Sequence, residues 1–131
     1  MNILMYIREL LLNDPFIKSQ VDERIHFYKV GENTDTSQPF ITITPIDGEP
    51  STFVSDKYLS ETFFVQVDVE TYKHQKSLDI ANRIRNILWV NGFKQKGTEF
   101  DEPFEETKRY VLARKYLGIP KNKYYKGEPV E

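Results

Sequence analysis

ETFFVQVDVET, residues 61–71, is the stretch on which the fold turns. Phe63, Val65, Val67 and Val69 alternate with Phe64, Gln66, Asp68 and Glu70. Successive side chains of a strand point to opposite faces, so this period of two describes a half-buried β-strand. The valine set is expected to line a core. The other set either faces water or meets something polar. The strand is predicted to run from about Tyr58 to Thr71.

Directly downstream the period changes. In HQKSLDIANRIRNILWVNG, residues 74–92, Leu78, Ala81, Ile84 and Leu88 recur at helical spacing, widened by Ile80 and Ile87. Asp79, Asn82, Arg83 and Asn86 fall on the opposite side of this amphipathic helix. Asn91-Gly92 supplies the left-handed stop that helices favour. FKQKGTEF, residues 93–100, alternates weakly as a strand, DEPFEE reads as an acidic loop, and TKRYVLARKYLGI as a last long strand.

Upstream, Ile3, Leu4, Ile7, Leu10 and Leu11 share one side of a first helix that Asn13-Asp14-Pro15 ends. Proline lacks the amide hydrogen and biases its predecessor away from helical geometry. FIKSQV adds a short helical turn expected to pack Phe16, Ile17 and Val21 against that helix. RIHFYKV, residues 24–30, reads as a strand, GENTDTSQ as a polar loop, and PFITITPID, residues 39–47, as a strand interrupted or ended by Pro45. DGEPSTFVSDK is turn chemistry. The expected fold is therefore α+β: a two-layer sandwich whose mainly antiparallel sheet of four to five strands carries two helices on one face. Residues 1–120 are read as a single domain and 121–131 as a flexible or partner-ordered tail.

The 131 residues suffice for one core, and 39% hydrophobic with 29% charged residues is ordinary for a globular chain. No run approaches the roughly 20 apolar residues of a membrane span. MNILMYIRELLL carries Arg8 and Glu9 inside its apolar run and is expected to remain as a helix. Cysteine is absent, so neither disulfides nor thiol chemistry enter. A formal charge of −2 argues against a protein whose main work is gripping DNA phosphates. Lys108 to Lys126 is the local exception, mixing Lys and Arg with Tyr110, Tyr116, Tyr124 and Tyr125.

Catalytic signatures are missing. His26 and His74, the two histidines, have no partner at metal-ligand spacing. No glycine pattern cradles a phosphate, and Ser55, Ser60 and Ser77 have no adjacent base. Asp68 and Glu70 share one strand face and Asp79 follows on the helix. Such carboxylates hold Mg²⁺ in nucleases if they converge; otherwise they are solvated or paired with Arg83 or Arg85. No cofactor or metal is expected from these residues.

The order of DERIHFYKV, QPFITITPIDG, ETFFVQVDVET and KHQKSLDIANRIRNIL after an N-terminal helix resembles the tail terminator, or tail-to-head joining, proteins of long-tailed bacteriophages. The resemblance spans roughly Met1 to Pro120; the acidic DEPFEE segment and the long tail depart from it. It implies a structural virion protein without enzymatic activity, assembled in the host bacterial cytoplasm, that forms a ring, typically a hexamer, on the last ring of the tail tube. Such a ring stops tube polymerisation and meets the head connector or head-completion protein. Double-stranded DNA passes through it without specific binding, and no membrane is involved. Other head–tail connectors, minor tail proteins, and a small nucleic-acid-binding protein or metal-dependent nuclease are the alternatives.

Within that reading, Phe64, Gln66, Asp68 and Glu70 form a face toward a neighbouring subunit or the channel, with Phe64 as apolar anchor. Asp101, Glu102 and Glu105 of one subunit are expected to meet a basic-aromatic patch of the next, comprising Lys108, Arg109, Arg114, Lys115, Tyr124 and Tyr125. A ring needs two different patches on each subunit.

Overall fold

A computed structural model describes residues 2–31, 36–46, 62–104 and 109–119, giving the backbone alone over 97–104. Its elements in chain order are α1 (Ile3–Leu12), α2 (Pro15–Val21), β1 (Ile25–Phe27), β2 (Phe40–Pro45), β3 (Phe63–Thr71), α3 (His74–Val90), β4 (Phe93–Phe104) and β5 (Arg109–Gly118). The five strands make one sheet in the order β1-β2-β3-β5-β4. β1 runs parallel to β2, and every other neighbouring pair is antiparallel. β3 and β4 are thus parallel to each other, joined through α3, and split by β5. The chain is α+β with a mainly antiparallel sheet, as its sequence predicts, but three helices, not two, cover the sheet.

The valine face of β3 builds the core. Val65, Val67 and Val69 are at most 2% exposed and sit in register with Ile43, Ile41, Leu112 and Tyr116 on the flanking strands. Ile7 and Leu11 of α1, Ile17 and Val21 of α2, and Ile80, Ile84 and Leu88 of α3 close over them. Each such aliphatic side chain contributes about 1.5–3 kcal/mol when withdrawn from water. The buried stripe of α3 is centred on Ser77, Ile80, Ala81, Ile84 and Leu88, and Leu78 lies at its margin.

Local chemistry sets the boundaries. Asn2 Oδ1 accepts from the amides of Leu4 and Met5 and starts α1. Asp14 Oδ2 accepts from Ile17 N at 3.1 Å and, with Pro15 in the first turn, starts α2. α2 is thus a full two-turn helix; it buries Ile17 and Val21, whereas Phe16, expected to pack inward, is exposed. The first strand is shorter than expected because Tyr28 adopts φ 71°, a left-handed conformation that ends the extended run at Phe27. Gly92, at φ 98°, stops α3 as predicted. A β-carbon on Gly118 would stand 2.1 Å from the Gly92 carbonyl oxygen, so glycine is required where β5 passes that stop.

The acidic segment is not a loop throughout. Asp101–Phe104 continue β4 in register with Leu112–Arg109, after irregularities at Gln95/Gly97 and Thr98/Phe100. Among the described residues β4 is an edge strand, and an edge tolerates Pro103 without losing a ladder hydrogen bond. Tyr58 to Glu61, Glu105 to Lys108 and the tail with Tyr124 and Tyr125 lie outside the described residues.

Candidate assembly face

The sheet's second face carries no helix among the described residues. β3 places Phe64, Gln66, Asp68 and Glu70 there, as the alternation predicts. Register puts Thr44 and Lys115 beside Gln66, Thr42 and Ala113 beside Asp68, and Phe40 and Val111 beside Glu70. All four β3 side chains are half-buried, and Phe40, Thr42, Val111 and Ala113 are buried. The face is mixed: an aromatic end at Phe64, an amide–carboxylate centre, and an ionic end at Glu70.

At the aromatic end, Lys115 Nζ stands 6.0 Å from the Phe64 ring centroid, the outer reach of a cation–π contact. At the centre, Gln66 Nε2 donates to Asp68 Oδ1 at 2.9 Å. Burial pushes the Asp68 carboxyl above its ordinary value, and the Gln66 bond only partly offsets this. Across Thr42 lies His26, set edge-on to Phe40 with ring centroids 5.9 Å apart; burial holds its imidazole below the ordinary histidine range.

The ionic end is built around Arg109, which is 3% exposed. Its Nε donates to Glu70 Oε2 at 2.7 Å and its Nη2 to the Glu70 carbonyl at 3.1 Å. Further bonds reach the carbonyls of Thr36 and Gln38. The guanidinium lies 4.3 Å from the Tyr72 ring centroid and 4.9 Å from that of Phe40. Arginine's planar fork suits this convergence of acceptors and rings. One side chain thus ties the start of β5, the end of β3 and the approach to β2.

This placement changes the expected basic patch. Arg109 is engaged inside its own chain, not held out toward a neighbour. Arg114 is also buried: it lies on the helix-covered face opposite Val67 and donates to Asn82 Oδ1 at 2.9 Å. Burial raises the neighbouring Tyr116 phenol above its ordinary value, with Arg114 opposing. Of the described basic candidates, Lys115 and Arg109 share the face with Phe64, and Arg109 is bound to Glu70 of its own chain. Asp101 and Glu102 occupy β4 register positions opposite Leu112 and Val111; Glu105, Lys108, Tyr124 and Tyr125 lie outside the described residues.

The metal alternative needed Asp68, Glu70 and Asp79 to converge. The sheet separates them: Asp79 is exposed on α3, over the valine face, and accepts from Gln75 Nε2. Among the described residues no three His, Cys, Asp or Glu side chains cluster as a metal site. Arg83, expected to pair with a strand carboxylate if anything, binds Asp14 Oδ1 through Nε at 2.9 Å and Nη2 at 2.5 Å. That pair holds the Asp14 carboxyl below its ordinary value. No described helix is long and apolar enough to cross a membrane.

Two features escaped the sequence reading. The burial of Arg109 follows from strand phase, since it stands two residues before Val111 and shares Glu70's face. Trp89, 60% exposed, falls outside the Ala81–Ile84–Leu88 stripe and was legible as a surface tryptophan. Compared with known protein families and with curated proteins, the chain matches none.

Proposed function

We propose that the protein is a structural ring component of a bacteriophage tail, set at the head-proximal end, where it stops tail-tube growth and joins the tail to the head connector. The observation that carries this reading is the second sheet face. It holds an aromatic anchor, Phe64, and a desolvated carboxylate, Asp68, on a surface without a helical layer among the described residues. The chain order supports it as well: β3 passes straight into α3, and the chain returns through β4 and β5, the pattern in which the resemblance to tail terminators lies.

In this role the protein makes no covalent chemistry. Subunit contacts would form between unlike patches of successive copies, a geometry that closes into a ring when the rotation between copies allows it. Partners are further copies of the chain, the tail tube protein and a head-completion protein, with double-stranded DNA passing through the opening. The test is addition of the purified protein to polymerising tail-tube subunits. Tubes of arrested length with the protein at one end are expected. Unchecked elongation, with the protein left in the supernatant, would overturn the proposal and favour a different head–tail component.

A further inference from the structure

Asp68 stands at the middle of the second face. β3 is the central strand of the five, and Asp68 lies in register with Thr42 on one side and Ala113 on the other, both buried. Its hydrogen-bond partner among the described residues is neutral and belongs to its own strand: the Gln66 amide, at 2.9 Å. The cations of the face are engaged at its two ends. Arg109 binds Glu70, and Lys115 Nζ stands against the Phe64 ring. β4, separated from β3 by β5, places Lys94 and Glu102 at register positions opposite Leu117 and Val111. Across Thr42, β1 contributes His26, whose buried Nε2 has no hydrogen bond among the described residues. Asp68 is thus a half-buried carboxyl with no ion pair among the described residues.

A neighbouring copy laid on this face removes the water that Asp68 still has. A carboxylate withdrawn from water without a cation is far less stable than the neutral acid. The acid keeps a carbonyl oxygen to accept from Gln66 and gains an O–H donor for the neighbour. The expected basic counterpart does not supply the missing charge, since Arg109 and Arg114 are bound inside their own chain. We propose that contact between copies across this face is coupled to uptake of one solvent proton by Asp68, so that subunits join more tightly in mildly acidic solution. The inference rests on the ring reading and names a control on its contacts. In the free chain burial already holds this carboxyl above its ordinary 3.8, and contact raises it further. Association therefore gains as pH falls through the interval between the free and the contacted value, and levels off below it. His26 opposes this, because burial holds its imidazole below its ordinary 6.5 and closer packing expels its proton.

The test is the association constant from light scattering over a concentration series, from about pH 7.5 to about pH 4.5, with circular dichroism confirming the fold at each step. Wild type should associate more tightly as pH falls, by up to about tenfold per pH unit for each contact. Asp68→Asn, neutral at every pH, should associate near neutrality as tightly as acidified wild type and lose the dependence. His26→Gln should retain the rise; its loss there, with retention in Asp68→Asn, would move the proton to the imidazole and overturn the proposal. Association that is independent of pH overturns it and leaves the ring reading standing. So does association that weakens in acid and is weaker still in Asp68→Asn, the signature of a cation brought by the neighbour. A chain that stays monomeric at every pH also overturns it; if that chain fails to cap tail tubes too, the ring reading falls with it.

Discussion

The two faces of one strand do different work. On the first, Val65, Val67 and Val69 are almost wholly buried under three helices, beside Ile41, Ile43, Leu112, Tyr116 and the buried Arg114. On the second, Phe64, Gln66, Asp68 and Glu70 stand half-buried beside Thr42, Thr44 and Lys115. The first face gains stability from every methyl group it removes from water. The second holds a carboxylate at a cost, since burial disfavours its charge. A group retained against its own solvation penalty points to a role outside the stability of the single chain, and assembly is the role proposed for it.

The sharpest way to break this contrast is to place the same charge on each face. Val69→Asp buries an unpaired carboxylate between Ile41 and Leu112 and should cost about 4 kcal/mol or more, enough to unfold many domains of this size. Phe64→Asp should leave the urea midpoint close to wild type, within about 1 kcal/mol, while removing assembly. Equal losses of stability from the two substitutions would erase the distinction between the faces.

Arg109 sharpens the comparison from the ionic end. Arg109→Ala leaves Glu70 and the carbonyls of Thr36 and Gln38 without their shared donor and should cost about 3 kcal/mol in urea unfolding. Arg109→Lys keeps the charge but not the fork, so it should recover only part of that loss. Full recovery by lysine would show that the fork geometry is unimportant.

The smallest effects come from two aspartates whose shifts have opposite signs. Asp14 has a folded pKa below its ordinary 3.8, first because Arg83 bonds its carboxylate. Its contribution is therefore present above about pH 4 and lost as pH falls through the lower folded value. Asp14→Ala should cost about 1 kcal/mol near neutral pH through the lost helix cap, and should flatten the acid limb of the stability curve. Asp68 has a folded pKa above its ordinary 3.8, because burial outweighs the Gln66 bond. Its ionisation opposes folding as pH rises through that raised value, so Asp68→Asn should increase stability slightly at pH 7 and not at pH 3. Urea titrations at both pH values read the two signs; like signs would contradict the environments assigned to these carboxyls.

Much of the fold was legible because β3 and α3 carry their periods within consecutive residues. The Asn91-Gly92 stop and the Asp14-Pro15 start of α2 were equally local signals. The insertion of β5 between β3 and β4 was not legible, since strand order depends on pairings between distant segments. Nor was the continuation of β4 through Asp101-Glu102-Pro103: those residues favour a turn when taken alone, and β5 holds them extended. The β3 part of the candidate face was readable from alternation. Its basic counterpart was misplaced because counting Lys and Arg along 108–126 ignores strand phase, which sends Arg114 toward α3 and Arg109 toward Glu70.

The central claim, that the second face serves contacts between chains, is tested most directly by the mass of the purified protein in solution beside that of Phe64→Asp, both by light scattering. The account predicts a ring-sized oligomer for the wild-type chain and a folded monomer for the variant. A variant that assembles to the same mass as wild type would contradict it.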